Sequence, residues 1–147
     1  IQEYRFLQVS YESMVNWQET TDYLRCSPLF NKHQRYDFVI VDAIPKPIFA
    51  QLLMIFTCTV LGSDFAIAFI RPLNARGISQ KQKDIDDNLD LHRVRSKPMA
   101  DSGFIFVRSI QRGALLINDP DHWPEFDFFV VDTIDGDMFL RCQELFR

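Results

Sequence analysis

Short apolar runs, broken by turn residues, recur along most of the chain. "YRFLQVS", Tyr4 to Ser10, alternates near the start, and "YDFVIVDA", Tyr36 to Ala43, is a short apolar run. The stretch "IFAQLLMIFTCTVLG", Ile48 to Gly62, holds no charge, and "FAIAFI", Phe65 to Ile70, resumes the pattern after Ser63-Asp64. A membrane helix needs about 20 apolar residues, and a span through both halves would bury Asp64 in hydrocarbon. "FTCTV" is β-branched and aromatic, which favours strand over helix. The pattern therefore predicts two strands, Phe49 to Val60 and Phe65 to Ile70, joined by a Gly-Ser turn. A strand as long as the first is expected to bend or carry a bulge. Pro72 lacks a ladder donor, so the second strand is expected to stop there. Arg71 is then expected to sit at the barrel's end as a structural, paired residue, with Asp42 as candidate partner.

Further strands are predicted over Phe104 to Ile110 and Gly113 to Asp119. "FDFFVVDTI" and "DMFLRC" flank Asp135-Gly136, a hairpin signal. Seven or eight short strands at close spacing predict a mainly β chain, a barrel or sandwich. One helix is expected between Glu12 and Arg25, with Met14, Val15, Trp17, Tyr23 and Leu24 as its apolar set, and another helical turn after Arg141. Residues 74–90 are polar, of mixed charge and nearly without large apolar side chains, and read as an exposed loop. No repeat or clean boundary divides the chain. Residues 1–147 are read as one domain, with 1–35 a candidate N-terminal extension packed on the barrel.

Composition narrows the function classes. A chain of 147 residues suits one domain with a real core. Its net charge of −4 argues against a module built mainly to neutralise phosphates. Cys26, Cys58 and Cys142 are odd in number, far apart and without a C-x-x-C, which points to three thiols in a reducing, intracellular compartment. The chain opens on Ile1 without a secretory pattern, as a domain cut from a longer protein would.

No motif names a reaction. Asp42, Asp132, Asp135 and Asp137 stand at strand ends and a turn. A metal-dependent nuclease or transposase places carboxylates so, with Asp42, Asp132 and Asp137 as its candidates, but turn chemistry uses Asp in the same positions. His33, His92 and His122 lack ligand spacing, and no G-x-S-x-G, Walker loop or G-x-G-x-x-G occurs. "DPDHWPEFD", Asp119 to Asp127, reads as a turn. Alternation puts Arg93, Arg95 and Lys97 on one strand face, a candidate phosphate contact or a solvated face paired with the acids before it. Trp17, Tyr23 and Trp123 lie outside the main strand runs and are candidates for an aromatic ligand site at a barrel rim.

The stretches "YRFLQVSYESMVNWQETTDYLRCSP", "YDFVIVDA", "RVRSKP", "SIQRGALLINDP" and "FFVVDTIDGDMFLR" together resemble the C-terminal domain of long proteins encoded by DNA transposons of mushroom-forming fungi, the Plavaka and KDZ-like elements. Members usually carry a shorter link before the strand corresponding to "RVRSKP". The order "YDFVIVDA", "FAQLLMIF", "FAIAFIRP", then "DLHRV", "IQRGALLI" and "DMFLR", also resembles the bromo-adjacent homology (BAH) domain. This likeness implies a small BAH-like β-barrel with one or two short helices and no cofactor. It implies a non-catalytic interaction module, nuclear, with a histone tail or another transposon-encoded protein as partner; nucleic acid is not favoured and no membrane is expected. The Trp-Phe-x-Arg-Pro of many BAH domains is here Ala68-Phe69-Ile70-Arg71-Pro72, a departure that counts against an aromatic cage for methylated lysine.

Overall fold

The computed structural model describes residues 1–74, 79–121 and 126–146. In chain order the elements are β1 (Gln2–Tyr4), β2 (Phe6–Glu12), β3 (Glu19–Phe30), β4 (His33–Tyr36), β5 (Phe38–Val41), β6 (Ile48–Val60), β7 (Ser63–Asn74), α1 (Gln80–Asn88), β8 (Arg93–Ser96), β9 (Gly103–Phe106), β10 (Ile110–Ala114), β11 (Leu116–Asn118), β12 (Asp127–Val130) and α2 (Gly136–Leu145). The chain is mainly β, with a nearly closed barrel-like sheet and two short helices.

The uncharged stretch and its successor form the long β6–β7 hairpin, paired from Phe49↔Leu73 out to Val60↔Ser63. Its two-residue turn is Leu61-Gly62, both at positive φ (51° and 80°), the conformation that matches strand twist in a tight hairpin. The expected bulge lies between Leu52 and Met54. Both strands change partners midway. β6 pairs β5 over Ile48–Gln51 and β1 over Ile55–Thr57. β7 pairs β8 at Leu73–Asn74 and β9 over Ile67–Ile70. The base of the hairpin thus belongs to the barrel, and its outer half to a four-stranded extension, β1-β6-β7-β9.

The barrel path runs β10-β5-β6-β7-β8-β12-β11. Only Leu115 separates β10 from β11, so one kinked strand supplies both ends of the path and brings the sheet round on itself. Two cores result. Phe38 and Ile40 of β5 face Phe49, Leu73, Val94, Leu116, Phe128, Val130, Met138 and Cys142 inside the barrel. Val39 and Val41 face the other way, towards Val9, Leu24, Cys26, Leu52, Ile55, Ala68 and Ile70, where the separate sheet β2-β3-β4 covers the barrel wall. A strand buried on both faces reads as a continuous apolar run, as "FVIV" does.

Four expectations are corrected. Residues 12–25 are not helical: β2 and β3 form a hairpin whose turn spans 13–18, because Leu7, Val9, Leu24 and Cys26 follow a period of two. Asp135-Gly136 does not turn a hairpin. The Asp135 carboxylate accepts a hydrogen bond from the Met138 amide at 2.7 Å and caps α2, whose Met138 and Cys142, one turn apart, are fully buried in the barrel core. Within the expected exposed loop 74–90, α1 is a helix capped by Ser79. It escaped hydrophobic periodicity because it docks through a buried Asp86 while Ile85 stays exposed. Finally, β7 runs through Pro72 to Asn74. The Pro72 carbonyl accepts from the Lys97 amide at 2.9 Å, on the side where β9 has ended and β8 has not begun, so the missing N–H falls in a gap between ladders. Among the described residues no helix is long and apolar enough to cross a membrane.

If α2 closes the barrel, Met138→Ala should lower the stability read by urea denaturation by about 2–5 kcal/mol. Ile85→Ala, on the exposed side of α1, should change it by about 0.5 kcal/mol or less.

Candidate functional site

Most ionic side chains that looked available in sequence are engaged inside the fold. Arg93 leaves β8 with its side chain 2% exposed. Its Nε donates to Asp86 of α1 at 2.9 Å and its Nη1 to Asp119 at 2.6 Å, while Asp127 of β12 lies 3.4 Å away. The Phe129 ring lies beneath the guanidinium. Arg95 donates to Asp127 at 2.6 and 3.1 Å. Burial alone would lower the pKa of Arg93, but hydrogen bonds to Asp86 and Asp119 outweigh it and the net shift is upward. The face proposed to meet phosphates is therefore a carboxylate-bound face, and Arg93 has no free donor edge. Lys97, half-buried, holds the strand through its backbone: its amide bonds Pro72 and its carbonyl accepts from Arg71 Nε at 2.6 Å. Arg71 is structural in this sense, but its partners are that carbonyl and the Phe126 ring rather than Asp42.

A second network centres on Arg112 of β10. It donates to Asp135 at 2.9 and 3.0 Å and to Asp137 at 2.8 Å, with Asp22 of β3 at 3.8 Å. Arg141 of α2 also donates to Asp137, at 2.7 Å, and both guanidiniums flank the Tyr11 ring. The Met14 amide adds a bond to Asp137. The Arg112 guanidinium holds Asp135 below the usual carboxylate range. Burial would raise Asp137, but the Met14 amide and the guanidiniums of Arg141 and Arg112 prevail and lower it.

These contacts separate the three carboxylates considered for a metal. Asp42 bonds Gln111, Asp132 bonds His92 at 3.0 Å, and Asp137 belongs to the Arg112 network. Among the described residues no three His, Cys, Asp or Glu side chains are grouped to hold a metal ion. Cys26 and Cys142 are buried, and burial pushes their thiols up to about 11 and about 12, which keeps them protonated and poor nucleophiles. A cavity of about 370 Å³ lies between α1 and the end of α2, lined by Lys46, Lys83, Asp87, Asp90, His92 and Phe146 among others. Its histidine, His92, is tied to Asp132 and stacked on Phe146 at 4.5 Å.

Of the aromatic candidates, the two described, Trp17 and Tyr23, do not converge. Trp17 is 67% exposed at the tip of the β2–β3 hairpin, in a shallow groove with Ser10, Tyr11, Glu12 and Glu19. Tyr23 lies further down β3, opposite Gln8, and stacks on Phe6. Trp123, like His122, lies outside the described residues.

The structure instead gathers a set that sequence reading missed. Register places Met54, Phe56 and Cys58 beside Phe69, Ile67 and Phe65, and the last strand adds Phe104 and Phe106 beside Phe69 and Ile67. Phe104 contacts Phe69 and Phe56 at ring-centroid distances of 4.9 and 5.9 Å, and Phe106 meets Phe65 at 6.2 Å. This is the outer face of the β1-β6-β7-β9 extension, since Ile55, Ala68, Ile70 and Ile105 on the other side meet the core. Phe104 is 66% exposed and Phe106 40%. Alternation within each strand was visible, but only pairing register shows that the three rows share one uncovered face.

Comparison with known proteins finds no matching family model, no matching curated protein and no matching solved structure.

Asp135 and Asp137 titrate below the unfolded value of about 3.9, so their stabilisation is complete above that pH and is lost as pH falls through their lower folded values. Asp137→Asn should cost about 3 kcal/mol at pH 7, by leaving Arg112 and Arg141 short of a charge, and should flatten the loss of stability below pH 4. Urea melts of both proteins across this range measure both effects.

Proposed function

We propose that this domain is a non-catalytic protein-interaction module, of the chromatin-reader kind, within a transposon-derived nuclear protein. The observation that carries the interaction reading is the uncovered aromatic face around Phe69, Phe104 and Phe106. Large apolar patches on soluble proteins mark contact sites, and aromatic side chains dominate the energetics of protein interfaces. The pairing of Arg93, Arg95 and Arg112 with carboxylates, and the scatter of Asp42, Asp132 and Asp137, favour this reading over a nucleic-acid or metal-dependent one. The nuclear, transposon and chromatin parts rest on the sequence resemblance alone, which suggests a histone tail or another transposon-encoded protein as partner.

Arrays of histone-tail peptides and of overlapping peptides from transposon-encoded proteins test it. Phe104→Ser should abolish binding while costing only about 1 kcal/mol of stability, since its ring contacts are largely exposed. Divalent-metal-dependent DNA nicking that disappears in Asp42→Ala would overturn it, as would peptide binding unaffected by Phe104→Ser.

A further inference from the structure

We propose that the aromatic face is completed by a second copy of this chain, joined antiparallel along the edge of β9. The proposal rests on reading this face as a protein-docking surface and names its occupant.

The edge is open. β9 pairs only with β7 among the described residues, and Phe106 at its end caps the 3-10 turn Val107–Ser109. Half of its backbone groups therefore point away from the sheet. An uncharged, apolar edge strand is a template for another strand. Three other one-sided strands are guarded: β1 carries Glu3, β2 carries Glu12, and β4 carries His33 and Arg35, while β10 and β11, the ends of the barrel path, run into one another at the Leu115 kink. β9, with sequence GFIF, carries no charge and no proline.

The ends of the edge identify the occupant. Exposed Asp101 ends a 3-10 turn, Met99–Asp101, just before β9, and exposed Arg108, its guanidinium over the Phe106 ring at 4.4 Å, lies in another, Val107–Ser109, just after it. A two-fold axis perpendicular to the sheet reverses the second strand and keeps each face on its own side. That restricts the central registers to Phe104 opposite Phe104 or Ile105 opposite Ile105. In either one, the turn that carries Asp101 faces the turn that carries Arg108 of the second copy, and the symmetry brings them together twice. A foreign strand would need matching charges of its own; a second copy supplies them by symmetry. The same pairing sets the two Phe104–Phe106 rows side by side, so each covers part of the other's exposed ring surface.

Sedimentation velocity over a wide concentration range tests the proposal with the whole domain. The parent chain should pass from monomer to dimer. Asp101→Arg and Arg108→Asp, both at exposed sites, should each weaken association on the order of 100-fold by placing like charges together. The double variant D101R/R108D should restore it, with all three melting like the parent. A parent chain that stays monomeric throughout overturns the second-copy proposal, as does failure of the double variant to regain association. Peptide binding that still depends on Phe104 in such a monomer would leave the docking reading standing, with a foreign chain as the occupant. Loss of both self-association and Phe104-dependent binding would remove the docking reading as well.

Discussion

Arg112 holds its guanidinium against three carboxylates from two distant parts of the chain: Asp22 on β3, and Asp135 and Asp137 at the cap and first turn of α2. The N-terminal sheet, the kinked strand that closes the barrel, and the helix that seals it all meet at this one side chain. The neighbouring glycine shows how tight the junction is. The Gly113 amide bonds Asp22 at 2.8 Å, and a Cβ there would come within 2.6 Å of a Leu24 methyl group. A buried ion pair adds little net stability over an apolar substitute, but removing one partner leaves a bare charge in a poor solvent. The effect of Arg112 is therefore selective. Arrangements of sheet and helix that do not bring Asp135, Asp137 and Asp22 to it are penalised.

Arg93 does the same for the other side of the barrel. α1 has a polar composition and one buried residue, Asp86, so hydrophobic contact contributes little to holding it. The Arg93–Asp86 bonds fix it instead, and the Gln82 side chain, one turn back on α1, orients the Asp86 carboxylate from 2.9 Å. The two networks explain a surface that looks charge-rich in sequence and less so in space. Basic residues on β8, β10 and α2 are largely turned onto the chain's own acids.

The parts of the fold visible in sequence were those governed by period and turn chemistry. The uncharged stretch could be resolved into β6 and β7 because β-branched residues, Gly62 and Asp64 rule against a span. β5 was visible as a continuous apolar run. What stayed hidden depended on long-range partners. Asp135-Gly136 carries a hairpin signal, and only the barrel core awaiting Met138 and Cys142 makes it a helix cap. α1 has no apolar stripe to detect. Arg93, Arg95 and Lys97 alternate as an exposed strand face would, and nothing local reveals that Asp119 and Asp127 fold back over two of them. The aromatic face was hidden for a related reason: its rows come from β6, β7 and β9, and β9 is more than thirty residues away from its partner β7.

The position of that face follows from strand length. β6 has 13 residues and β7 has 12, roughly twice a usual strand, so the hairpin outruns the barrel. Beyond the barrel its inner side is covered by the N-terminal sheet through Ile55, Ala68 and Ile105, while no described element crosses its outer side. A hairpin of that length could have ended its apolar pattern where the barrel ends, with polar residues outside and apolar residues inside. Instead Phe56, Phe65 and Phe69 keep the outer side aromatic along the extension, and Phe104 and Phe106 widen it. Fold closure does not require those rings, because the barrel core is complete without them. Their exposure carries a solvation cost that no described element of the chain removes, which is the physical ground for the proposal that the extension, rather than the barrel, meets a partner.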